Sequence, residues 1–245
     1  MPATSRHLLA LLMLLVPGVG ALASERALPD GFVHLTEIDP TIRQDIRYAG
    51  ASNFLGRRVK GYDAASCILT REAAQQLATA QARAQDKGFS LVVFDCYRPA
   101  QAVADFVAWT KEGGPADPRW HPAAERAELI RRGYIAGRSA HSRGSTVDVG
   151  LMPIGIASPL PDPACGAPHG EQAATVDFGT GFDCFDGTSR TDSRQVGREA
   201  QANRRLLVEL MDRAGFRNYT AEWWHFTLRG EPHPKRVFDF PVSAP

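Results

Sequence analysis

The first pattern along the chain is an unbroken apolar run, Leu8–Val16 (LLALLMLLV), preceded by Arg6 and His7 and stopped by Pro17 and Gly18. It is about half the ~20 residues needed to cross a bilayer. Ala21 and Ala23 place small side chains at the two positions a signal peptidase reads, so residues 1–23 are expected to be a signal peptide cleaved before Ser24. The alternative is a short buried helix at the start of the fold. No cysteine follows the cleavage point, so no lipid anchor is expected there.

Downstream, the apolar positions predict helices mixed with short strands. Residues 24–35 read as a lead-in, with structure from Thr36. Thr70 predicts the cap of a helix running to about Lys87, with Leu77, Ala80 and Ala84 on its apolar face and Gly88 ending it. Phe89–Asp95 (FSLVVFD) reads as a buried strand. Pro99 suits the first turn of a helix carrying Val103, Phe106, Val107 and Trp109 at helical spacing. Pro122 is expected to open a short helix ending near Gly133. A polar loop, Gly137–Thr146, leads into a strand at Val147–Leu151. Pro153–Gly170 reads as a Pro/Gly-rich surface insertion and Val176–Asp186 (VDFGTGFDCFD) as an acidic loop. Val196–Ala214 predicts a helix stopped by Gly215, and Ala221–Leu228 a strand before a Pro-rich tail. Short, non-alternating strands among helices predict an α+β fold, helices packed on a small, mainly antiparallel sheet. Residues 24–245 are read as one domain, without repeats or heptads.

Composition narrows the function classes. Hydrophobic residues make up 44% and charged residues 22%, a globular balance. A net charge of +1 argues against a nucleic-acid partner, which calls for a basic excess. The cysteines Cys67, Cys96, Cys165 and Cys184 form no C-x-x-C pair, so a thiolate zinc site is not supported. In a secreted or periplasmic chain an even count suggests two disulfides, with three connectivities open and free thiols as the alternative. Cys67 precedes the helix that packs back on the strand ending at Cys96, and Cys165 lies in the insertion beside the acidic loop of Cys184. This placement favours Cys67–Cys96 and Cys165–Cys184.

Four clusters carry candidate chemistry. Ser139–Gly150 (SAHSRGSTVDVG) places His141 in a Gly/Ser loop and Asp148 in the strand after it. Glu222-Trp223-Trp224-His225 places an acid and a histidine three apart between two large aromatics. Two histidines and a carboxylate can hold a catalytic zinc with one position open. Taken singly, His141 reads as a surface histidine, Asp148 as a turn residue and Glu222 as a paired buried charge; together they favour a metal. Arg98, in Asp95-Cys96-Tyr97-Arg98-Pro99, sits where a buried strand gives way to a helix, a position suited to a functional side chain or to a structural ion pair. The acids of Asp177–Asp186 can take a cation or form a solvated turn.

SAHSRGSTVD, EWWHF, DCYRP, DFGTGFDCFD and the terminal FDFPV together make the chain similar to the D-alanyl-D-alanine dipeptidases of the vancomycin-resistance type, within the Hedgehog/D,D-peptidase zinc fold. The resemblance runs from about Asp45 to Val242. Two departures stand out, the signal peptide and the extra segment around Pro153–Gly170. The resemblance implies one zinc per chain on His141, Asp148 and His225, Glu222 as general base and then acid, and Arg98 at the oxyanion. It further implies that Tyr48 and Asp183 grip the free ammonium of a small dipeptide, with Ser139 near its carboxylate. The expected location is periplasmic or secreted, without a membrane anchor after signal removal, in cell-wall peptide turnover. Two other readings remain open. One is a D,D-carboxypeptidase or L,D-endopeptidase acting on longer wall peptides in an open groove. The other is a non-catalytic zinc-binding module, which would lack the base or the arginine.

Overall fold

The computed structural model describes Met1, residues 27–155, Cys165 and residues 175–245. The expected signal peptide, and all of the insertion except residues 153–155 and Cys165, lie outside the described residues. The chain runs β1 (Phe32–His34), α1 (Leu35–Ile38), β2 (Arg43–Gln44), β3 (Ile68–Thr70), α2 (Arg71–Gln85), β4 (Phe89–Asp95), α3 (Ala100–Lys111), β5 (Thr146–Pro153), α4 (Arg198–Arg213), β6 (Phe216–Asn218) and β7 (His225–Leu228). Five strands form one sheet in the order β2-β4-β5-β7-β6, antiparallel except for the parallel β2–β4 pair. β1 and β3 form a separate antiparallel pair. The fold is thus α+β, as expected.

The central strands are buried on both faces, which is why they read as continuous apolar runs: all but the last residue of β5 are buried. α2 begins where Thr70 Oγ1 accepts the main-chain N–H of Ala73, and its Ala73, Leu77, Ala80 and Ala84 are fully buried. It packs on β4 and α4. An aromatic group of Tyr48, Phe54, Phe106, Trp109 and Phe185, in ring contact, links α3 to the loops over the sheet.

Three local expectations need correction. The lead-in 24–35 contains β1, whose residues are all buried; three residues are too few for a periodic signal, and their partners lie 34 or more positions away in β3. The helix expected from Pro122 is realised as one 3-10 turn at Arg126–Glu128. So short a segment gains little from helix propagation, and tertiary contacts set it instead: Leu129 is fully buried and the Arg126 guanidinium sits 4.2 Å from the Trp109 ring centroid. The strand expected over Ala221–Leu228 begins only at His225. Residues before it form a turn, pinned by the Asn218 side-chain amide donating to the carbonyls of Glu222 and His225.

Candidate active site

The site is built on a row of residues that face one another across three strands. Asp148 of β5 pairs with His225 of β7 on one side and with Asp95 of β4 on the other. The second pairing depends on a β-bulge between Val93 and Asp95, which shifts the register and sets Asp95 opposite Asp148. His141 reaches the row from the 3-10 turn Ala140–Arg143, which ends at Gly144 with φ +84°. A Cβ at Gly144 would lie 2.2 Å from the Phe32 ring, so only glycine permits this turn to close against β1.

His141 Nε2, Asp148 Oδ1 and His225 Nδ1 lie 3.2–3.3 Å from one another. Metal bonds of about 2.0–2.1 Å at tetrahedral angles set donor atoms about 3.3 Å apart. His141 Nδ1 is 2.7 Å from the Cys96 carbonyl, to which it can only donate, so the neutral ring presents a lone pair at Nε2. Asp148 Oδ1 is buried and has no hydrogen-bond partner among the described residues. A buried carboxylate oxygen left without a donor is costly unless a cation completes it. The three residues therefore fit a divalent metal with a position open.

Around this centre the other sequence-derived residues converge on a cavity of about 280 Å³, lined among others by Tyr48, Arg98, Ser139, Asp183 and Glu222. Glu222 Oε2 is 3.4 Å from His225 Nδ1. Burial, against the pull of His225, lifts its carboxyl to about 7. Arg98 donates to Asp95 at 2.8–2.9 Å and to Asp148 Oδ2 at 3.4 Å, and lies 5.1 Å from the ring centroids of both Tyr48 and Phe106. The Asp148 carboxyl is held below the usual range: burial opposes this, but His141 and His225 outweigh it.

Asp183 is buried and accepts a 2.7 Å hydrogen bond from the Tyr48 hydroxyl. Burial pushes its carboxyl well above the ordinary value, and the Tyr48 bond offsets only part of that. Asp183 has φ +60°. Its loop is tied at both ends by Arg204 of α4, a fully buried arginine that donates to the carbonyls of Phe178, Thr188 and Arg190. Trp223 stacks on Phe178 and donates to Thr180 Oγ1, joining the loop to the Glu222–His225 turn. Ser139 lines the cavity and its Oγ accepts the His141 main-chain N–H.

The sequence reading left Asp95 without a role, yet it is fully buried and holds Arg98, takes the Tyr62 hydroxyl at 2.6 Å and lies 3.4 Å from His141 Nδ1. An acid three residues before Arg98 at a strand end was the one available signal. Both disulfides are present, Cys67–Cys96 with Cα atoms 5.3 Å apart and Cys165–Cys184 with 5.0 Å. Cys96 lends the carbonyl that orients His141, and Cys184 follows Asp183. Among the described residues no helix is long and apolar enough to cross a membrane.

The family described as D-ala-D-ala dipeptidase, Peptidase M15, matches residues 29–160 and 165–243, so the match runs through most of the 153–170 segment. A D-alanyl-D-alanine dipeptidase of Streptomyces coelicolor is 42% identical over 214 residues, 86% of this chain and 98% of that protein. One from Enterococcus faecalis is 37% identical over 216 residues, covering 87% and 99%. One from Escherichia coli is 30% identical over 196 residues, covering 80% and 83%. On a family match spanning nearly all of the chain after residue 28, together with a buried His/Asp/His donor set, this chain belongs to the Peptidase M15 family and is a metallopeptidase.

Proposed function

We propose that this protein hydrolyses free D-alanyl-D-alanine to two D-alanines, with one zinc ion on His141, Asp148 and His225. The observation that carries the reading is the pairing, within one small cavity, of that donor set with a buried carboxyl at Asp183 that has no salt-bridge partner among the described residues. The relatives' shared name supplies the substrate.

The residues divide the work. Asp183 and Tyr48 take the substrate's ammonium and fix its amino end. Glu222 removes a proton from the attacking water, whose oxygen bonds to the scissile carbonyl carbon. Arg98, aligned by Asp95, neutralises the negative charge that grows on the carbonyl oxygen. Glu222 then passes its proton to the amide nitrogen as the C–N bond breaks, releasing the amine. Zinc, when bound, supplies Lewis-acid polarisation beside these groups. The two disulfides and the expected signal peptide support a periplasmic or secreted location and a part in cell-wall peptide turnover.

Purified protein with zinc, offered D-Ala-D-Ala, L-Ala-L-Ala and a wall pentapeptide, is expected to release alanine from D-Ala-D-Ala alone. Pentapeptide cleavage at the dipeptide rate would replace this reading with a carboxypeptidase. Asp148→Ala should lose most bound zinc. Glu222→Ala should keep it while kcat falls about 10²–10⁴-fold. An Asp148→Ala protein that retains full zinc removes the ligand assignment.

A further inference from the structure

A free dipeptide carries two charges, and the charged groups assigned so far take one of them. The ammonium has Asp183 and Tyr48. The C-terminal carboxylate needs a cation or strong donors, since an unpaired carboxylate loses more on leaving water than the rest of so small a ligand returns.

Among the described residues two arginines, Arg98 and Arg138, and no lysine line the cavity. Arg98 is engaged by Asp95 and Asp148 and lies against the rings of Tyr48 and Phe106. Arg138 is exposed, and it has no hydrogen bond, ion pair or ring contact among the described residues. That freedom is informative, because the same cavity presents three carboxyl groups, Asp148, Asp183 and Glu222. An arginine kept there for structure would be paired with one of them. Arg138 also stands directly before Ser139, whose Oγ accepts from the His141 N–H and so keeps its own O–H to donate. One short stretch of wall, three residues from a metal ligand, thus carries a spare guanidinium and a spare hydroxyl donor.

We propose that Arg138, the neighbour of Ser139 on the cavity wall, binds the C-terminal carboxylate of the substrate and makes the site favour peptides whose C-terminus is free. The assignment rests on the dipeptidase reading above. It makes the cavity a charge ruler, with an anion at one end and a cation at the other, so that a peptide extended or blocked at its carboxyl end loses its anchor. Arg138 is exposed, so its pairing is partly screened by salt, and its effect is on the order of tenfold in binding. Binding that is equal in ground and transition states changes KM and leaves kcat alone.

The test compares D-Ala-D-Ala with its C-terminal amide, D-Ala-D-Ala-NH2, on wild type, Arg138→Ala and Arg138→Lys. Wild type is expected to prefer the free acid by about tenfold or more in kcat/KM. Arg138→Ala should raise KM for the acid about tenfold at near-constant kcat and bring the acid-to-amide ratio towards one. Arg138→Lys should restore most of the preference, and the KM of wild type should rise more steeply with salt than that of Arg138→Ala. If wild type cleaves the acid but Arg138→Ala keeps the wild-type acid-to-amide ratio, Arg138 is not the anchor and the dipeptidase reading stands. If wild type cleaves neither compound, the dipeptidase reading falls and takes this assignment with it.

Discussion

Asp183 shows what one side chain can decide. It is buried, has only the Tyr48 hydroxyl as a side-chain donor among the described residues, and sits in a left-handed backbone conformation uncommon for a residue with a Cβ. A ligand ammonium restores the charge balance that burial has upset; an amide nitrogen cannot. N-acetyl-D-Ala-D-Ala is therefore expected to react on the order of a thousandfold more slowly than D-Ala-D-Ala, and Asp183→Ala to shrink that gap chiefly by slowing the free dipeptide. Equal rates for the two compounds on wild type would show that the amino side of the cavity is open. Asp183, Glu222, His141, Asp148 and His225 stood out in the sequence because each lies inside a short motif, and the structure brings them to one cavity or its edge. Asp95 showed in the sequence only as an acid three residues before Arg98; its place opposite Asp148 did not, because it depends on a bulge that no residue between Val93 and Asp95 announces.

At the scale of elements, α4 matters less for its apolar face than for Arg204. Its guanidinium closes the loop from Phe178 to Arg190, and so sets where Asp183 stands. Arg204→Ala leaves three carbonyls short of a donor and should cost about 3 kcal/mol or more of stability, read from denaturant unfolding. At temperatures where the variant is folded, it should raise KM for D-Ala-D-Ala more than it lowers kcat. α3 carries a separate acid dependence. Asp105 is buried; burial alone would raise its carboxyl, but hydrogen bonds from Arg57 at 2.7 and 3.0 Å and from the Lys60 N–H outweigh this and lower it. A lowered carboxyl stabilises the fold above its unfolded value near 4, and the gain is lost as pH falls through the folded value. Asp105→Asn should lower Tm at pH 7 and flatten its decline below pH 4; an unchanged Tm profile would show the pair to be idle. The helices and β4 were legible from apolar spacing and caps. β1 was not, because it is three residues long and its partner strand is distant in sequence.

The whole molecule holds its site from several directions at once. His141 comes from a 3-10 turn, Asp148 and His225 from two strands, Glu222 from the turn after β6, and Asp183 from a loop bridged to Cys165. Reduction of Cys67–Cys96 should weaken zinc retention, because Cys96 supplies the carbonyl that fixes the His141 tautomer. Dialysis of reduced and oxidised protein against a chelator would measure it, and equal zinc loss would place the bridge outside the site's support. The row Asp95–Asp148–His225 has a consequence for how the chain finds its fold. Strand alignment is normally proofread by one greasy face and one wet face, and β5, buried on both, offers no such contrast. A slip of one residue would keep nearly the same apolar contacts but turn Asp148 to the opposite side of the sheet. A metal on His141, Asp148 and His225 would recognise only the correct alignment. Its binding energy would then favour the native pairing over near misses, so the cation would serve the chain as an editor of its own folding before it served any substrate.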